Sequence, residues 1–178
     1  VTDTALGTIA EYHNPLGNAA AAITDTGAFA TCSAVAAGDT VGLPPLVEKA
    51  EPIAQARDSA LKGACVSSPT RMCLSDDRFS LEITWRDYAG NAGSGQVVGT
   101  GSPDSGLFWF FNSSNWEMLV KVLDACDVNG RFWMLAAATT DVVYTLRVTD
   151  TETGVFREYF NPLGNAAAAL VDTFETCP

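Results

Sequence analysis

The chain has 178 residues, of which 47% are hydrophobic and 17% charged, a balance that suits one compact domain, alone or with an appendage, and rules out disorder over most of its length. Ten basic against twenty-one acidic side chains give a net charge of −11, which would repel a phosphate backbone, so nucleic acid is not expected as a partner. No apolar run approaches the roughly 18 residues of a membrane-spanning helix, the longest candidates being Gly106–Phe111 and Phe132–Ala138, so no membrane span is expected.

The chain opens on one half of an internal repeat. Residues 1–32 return as residues 148–177, two residues shorter before Phe174, with twenty-one of thirty aligned positions identical. Low complexity explains the alanine runs at 19–22 and 166–169. It does not explain Tyr12 with Tyr159, Asn14-Pro15-Leu16-Gly17 with Asn161-Pro162-Leu163-Gly164, or Cys32 with Cys177. The second copy closes a unit whose other strands lie upstream, whereas the first has nothing before it, so residues 1–32 read as the tail of a missing unit. An isolated hairpin is marginal in water, and this one must dock on something through Ile9, Tyr12 and the Asn14–Gly17 turn. Asn, Pro and Gly stand where a type I turn favours them at its first, second and fourth positions. The alanine tetrad behind it suits either a short helix, with Asn18 or Asn165 as N-cap, or an extended segment.

A connector follows over residues 33–63. Leu46, Ala50, Ile53, Ala54 and Leu61 stand at helical spacing and predict a helix interrupted at Pro52. The whole unit, residues 64–178, is β-patterned. From Arg78 to Tyr88, Phe79, Leu81, Ile83 and Trp85 alternate with Ser80, Glu82, Thr84 and Arg86, as a half-buried strand requires. A flexible turn at 89–95, a short strand at 96–99, and strands over 107–112, 117–126, 131–139, 142–149 and 155–160 complete the pattern, with a turn at Asp127–Gly130 among those between them. About seven strands at ten-residue spacing predict an all-β antiparallel sandwich, preceded by the duplicated segment and a short helical connector.

Few residues carry catalytic chemistry. His13 is the single histidine and its repeat counterpart is Phe160, which marks a surface or packing position rather than a general base. No G-x-S-x-G, G-x-x-x-x-G-K-[ST] or H-E-x-x-H motif occurs. The pairs Asp76 with Asp77, Asp124 with Asp127, and Asp150 with Glu152 could form a glycosidase-type acid and base, but most lie in turns, where Asp bends and caps the backbone. No enzyme is expected. Nor is a cofactor or metal, calcium being the one ion whose ligand chemistry Asp-rich turns offer, without a D-x-[DN]-x-[DN]-G loop to hold it.

Leu107-Phe-Trp-Phe-Phe111 with Trp116 concentrates aromatic side chains, Phe108 and Phe110 facing one way and Leu107, Trp109 and Phe111 the other. Such a strand is covered on both sides, or has one face against another subunit. The alternative is a carbohydrate platform using Trp109 and Trp116. Trp85 and Trp133 are expected in the core. Asn112-Ser113-Ser114 also matches the N-glycosylation acceptor pattern.

Five cysteines, Cys32, Cys65, Cys73, Cys126 and Cys177, none in a C-x-x-C arrangement, disfavour zinc and suit an oxidising, extracellular or cell-surface setting. Four lie in the whole unit and allow two bridges in three connectivities, leaving Cys32 to clamp the first copy internally or to a neighbour. Val1 in place of an initiator Met, without a tripartite leader, fits a chain whose targeting peptide is gone or one processed from a longer tandem array.

Met72-Cys-Leu-Ser-Asp-Asp-Arg-Phe79, Trp85, Gly106-Leu-Phe-Trp-Phe-Phe111, Val120-Lys-Val-Leu-Asp124, Asn129-Gly-Arg-Phe-Trp133 and Thr149-Asp-Thr-Glu-Thr-Gly154, closing with Asn161-Pro-Leu-Gly164 and Thr176-Cys177, resemble a repeat domain of secreted bacterial proteins of unknown function. The resemblance spans about residues 70 to 178. It implies an exported, non-catalytic all-β module with no active site to carry over. The composite expectation is a secreted association module. Residues 1–32 would pair edge-on with a sheet, and if that sheet belongs to a neighbour, copies would join head to tail into a homopolymer or filament.

Overall fold

The computed structural model describes residues 1–17, 23, 25, 28–29, 54–57 and 63–177. In chain order the elements are β1 (Ala54–Arg57), β2 (Arg71–Leu74), β3 (Phe79–Arg86), β4 (Ala92–Ser94), β5 (Gln96–Val97), β6 (Ser105–Trp109), β7 (Met118–Ala125), α1 (Cys126–Asn129), β8 (Arg131–Ala138), β9 (Val143–Asp150), β10 (Val155–Asn161) and β11 (Leu170–Thr176). They form two antiparallel sheets. Sheet I has the order β1-β10-β9-β3-β2, with β4 beside the far end of β3, and sheet II the order β11-β8-β7-β6-β5. The protein is an all-β sandwich, as its alternation implies.

The core is the layer between the sheets. Phe79, Leu81 and Ile83 of β3, Leu146 and Val148 of β9 and Tyr159 of β10 meet Phe108 of β6, Val120 and Val122 of β7, Met134 of β8 and Phe174 of β11, all fully buried or nearly so. Phe79 centres one end, its ring edge-on to Phe132 at 4.9 Å and to Phe174 at 5.6 Å. The chain crosses from one sheet to the other at Gly95, between β4 and β5. Its N–H donates to the Ile83 carbonyl at 2.9 Å, and a Cβ there would lie 3.0 Å from the Ile83 Cβ, so the crossing needs a residue without a side chain.

Several sequence expectations change. Ala54–Arg57, expected inside the connector helix, is strand β1 and pairs with β10 from Ala54 opposite Glu158 to Arg57 opposite Val155. Ala, Gln and Arg all favour helix, but an open strand edge offers a row of hydrogen bonds that outweighs the preference of four residues. The rest of that helix, and Cys32, lie outside the described residues. Ala92–Ser94, expected as turn, pairs with β3, and Asp127 belongs to the single helical turn α1, which ends on Gly130 in the left-handed region. Among the described residues eleven strands stand where about seven were expected, because β1, β2, β4 and β11 are short or carry weak alternation. The Asn-Pro-Leu-Gly turn is shifted by one residue. It runs from Pro162 to Asn165 with Gly164 third at φ 82°, as a type II turn demands, while Asn161 ends β10. Trp133 is not a core residue, because the β8 register turns Phe132 and Met134 inward and Trp133 outward.

Two disulfides close the unit, Cys65 to Cys73 and Cys126 to Cys177. The second spans 51 residues and ties the end of β11 to α1, whereas the first spans 8. Loop-closure entropy then assigns about 4 kcal/mol to the long bridge and about 2.5 kcal/mol to the short one. Replacing both Cys126 and Cys177 by Ser should therefore lower the urea midpoint more than the same change at Cys65 and Cys73.

Candidate association site

The hairpin between β9 and β10 is built on one aspartate. Asp150 Oδ1 accepts the backbone N–H groups of Glu152 at 2.9 Å and Thr153 at 3.4 Å, and the Gly154 N–H returns to the Asp150 carbonyl at 2.8 Å with Gly154 at φ 72°. An Asp followed four residues later by Gly encodes this turn locally, since the carboxylate satisfies the donors and only Gly takes the positive φ without strain. The first copy repeats it. Asp3 Oδ1 accepts the N–H groups of Ala5 and Leu6 at 2.8 and 3.2 Å, the Gly7 N–H returns to the Asp3 carbonyl at 2.8 Å, and Gly7 has φ 70°. The bridge between Thr2 and Ile9 matches the pairing of Thr149 with Phe156. Gly17, at φ 85°, matches Gly164.

A side-chain bond is also duplicated. The Tyr159 hydroxyl donates to Asp172 Oδ2 at 2.8 Å, and the Tyr12 hydroxyl donates to Asp25 Oδ2 at 2.9 Å, at equivalent repeat positions. In the second copy this bond joins the two sheets, because Tyr159 is on β10 and Asp172 on β11, and Arg157 adds a bond of 2.7 Å to the same oxygen. Burial, and then the adjacent carboxylate, push the Tyr159 phenol well above its ordinary range. The first copy has Ala10 at the position of Arg157.

What separates the copies is burial. Val148 and Tyr159 are 0% and 1% exposed, while Val1 and Tyr12 are 75% and 42% exposed. Ile9 and Leu16 are also open to solvent, as are Asn14, Pro15 and Gly17. Asp150, fully buried, is held by Arg78, whose Nη2 lies 2.8 Å from Oδ2 and whose guanidinium covers the Phe132 ring at 4.5 Å. The same local fold is thus packed against a sheet in one copy and solvent-facing in the other. Nothing in the sequence marks Arg78 beyond its place directly before the first residue of the Phe79–Trp85 alternation.

The remaining candidates separate. Trp109 lies half-buried on the outer face of sheet II, Trp116 is 49% exposed in the connection from β6 to β7, and the two share no ring contact among the described residues. Trp85 packs against Phe110 and Phe111. The acidic pairs serve structure: Asp150 and Glu152 both face Arg78, Asp124 accepts the Cys126 N–H at 2.8 Å, and Asp76 and Asp77 form the turn from β2 to β3. Asp124, Cys126 and Cys177 cluster, but the two sulfurs are spent in a disulfide and cannot act as thiolate ligands. His13 is exposed. No helix among the described residues is long and apolar enough to cross a membrane.

Compared with family models, curated proteins and solved structures, the chain matches none.

Two buried ionic groups give tests. Arg78→Ala would leave the Asp150 carboxylate buried without its guanidinium, and should cost about 3–5 kcal/mol by urea denaturation. Glu117 is 3% exposed and accepts the Phe110 N–H and the Asn115 amide, each at 2.6 Å, yet desolvation outweighs these bonds and raises its carboxyl above the ordinary value. The folded state therefore holds this proton to higher pH than the unfolded chain. The contribution is fully present below the ordinary value of 4.5 and lost as pH rises through the raised one. Glu117→Gln, which does not titrate, should gain on the native chain as pH rises from the ordinary value of 4.5, in paired urea melts.

Proposed function

We propose that this protein is a secreted, non-catalytic association module in which residues 1–32 are a closing segment for a neighbouring copy. Copies then link head to tail into a tandem array or filament at the cell surface. The observation that carries this reading is the contrast between two copies of one hairpin, with Tyr159 buried and Tyr12 exposed although both make the same bond to an aspartate. A hairpin folded by its own Asp and Gly but left with apolar side chains in solvent gains by burying them elsewhere. The two disulfides suit an oxidising compartment. Within the unit the β10 edge is already paired with β1, which leaves other surfaces of a neighbour to receive the segment.

A second reading is a carbohydrate- or surface-binding module, favoured by the exposure of Phe111 and Trp116 in one connection. Light scattering across a concentration series tests the first. Polymers should form in the native chain, and Ile9→Asp with Leu16→Asp should weaken them about tenfold or more, without a change in melting, because both side chains are exposed. A native chain that stays monomeric, but is retarded on polysaccharide gels in a Trp116-dependent way, would favour the second reading.

A further inference from the structure

The two outer faces of the sandwich differ in chemistry. On sheet I the outward positions of β2, β3, β9 and β10 form a charged row, Arg71–Glu82 at 3.2 Å and Arg147–Glu158 at 3.4 Å, with threonines around it. On sheet II most outward positions are apolar, with Ser105, Lys121, Arg131 and Thr173 as the polar ones among them. Leu107, Leu119 and Ala137 align across β6, β7 and β8; Leu135 and Val171 align across β8 and β11; Leu123 stands opposite Trp133. Leu119 and Val171 remain 38% and 40% exposed. Among the described residues of these strands the outward charges are Lys121 and Arg131, both cationic, on a chain of net charge −11, with Asp124 exposed at the end of β7.

Size and charge together select an occupant. Four strands about 4.8 Å apart, and three rows of outward side chains, make a patch of roughly 300 Å². A stable dimer face needs about 800 Å² per partner, so the patch is too small to hold two whole sandwiches together but suits a two-stranded hairpin. Residues 1–17 carry Val1, Leu6, Ile9 and Leu16 exposed, with Asp3 and Glu11 as their acidic side chains and no Lys or Arg. An apolar, acidic segment thus complements a largely apolar surface that carries two cations. Sheet edges compete poorly for it: among the described residues the outer strands β1, β4 and β5 offer only four, three and two residues, β2 is clipped by the Cys65–Cys73 bridge, and the Thr173 carbonyl of β11 accepts from Arg157 at 2.8 Å.

We propose that the outer face of sheet II is the seat for residues 1–17 of a second copy, with Lys121 and Arg131 facing its acidic side chains. This rests on the reading of residues 1–32 as the linking segment and names the surface that receives it. The test is photo-crosslinking in the full chain, with a benzophenone amino acid in place of Ile9, in an equal mixture of isotopically heavy and light protein. Heavy-to-light crosslinks onto β7, β8 and β11, reduced about tenfold by Leu119→Glu with Val171→Glu at unchanged melting, are the expected result. Heavy-to-light crosslinks at a sheet edge, or a yield unaffected by the Glu substitutions, would overturn this face while leaving the association reading in place. Crosslinks confined to single chains, or their absence from a chain that scattering finds monomeric, would overturn both. Absence of crosslinks in a chain that does associate would remove residues 1–17 from the contact, and this proposal with them.

Discussion

The pairing of Arg78 with Asp150 is the point on which the end of the sandwich depends. Asp150 is fully buried, accepts two backbone N–H groups that shape the turn from β9 to β10, and meets a guanidinium that lies over Phe132 of the opposite sheet. A carboxylate removed from water costs several kcal/mol unless its lone pairs and charge are answered, and here a turn and a cation answer them together. Thr151 closes the arrangement by donating its N–H and hydroxyl to the Arg78 carbonyl. One ionic contact thus fixes the β3 start, the β9 end and the spacing of the two sheets.

The duplicated segment separates what this arrangement owes to local chemistry from what it owes to its surroundings. Asp3 and Gly7 rebuild the turn of Asp150 and Gly154 almost bond for bond, and Tyr12 with Asp25 rebuilds Tyr159 with Asp172. The turn is therefore a property of about eight residues. Burial is not, since Val1 and Val148 begin identical tetrapeptides and differ by 75 percentage points in exposure. An apolar side chain is a core residue only where another surface is there to meet it, and the proposed association between copies would supply one.

The sandwich and its inner face were legible because alternation in β3 is strong. Phe79, Leu81 and Ile83 are buried as the period of two requires, and Phe108 and Phe110 share one face as read, which the structure makes the inner one. Legibility failed where context outweighs pattern. β1 is a strand because β10 had an open edge, Trp133 faces outward because its register is set by Phe132 and Met134, and Gly164 takes the third place of its turn because Asn161 is held by β10. Of the expected association residues, Ile9, Tyr12, Leu16 and Trp116 are exposed and Trp109 is half-buried.

The sequence by itself determined the local units: which residues alternate, where Asp and Gly turn the chain, that one hairpin occurs twice, and that the net charge is strongly acidic. These follow from side-chain period and backbone sterics, which act over a few residues. Only the tertiary structure decided which cysteines join, which arginine answers Asp150, that sheet I has a charged outer face and sheet II a largely apolar one, and which hairpin copy is buried. Those depend on register and on contacts between residues as distant as Arg78 and Asp150, which no local pattern encodes.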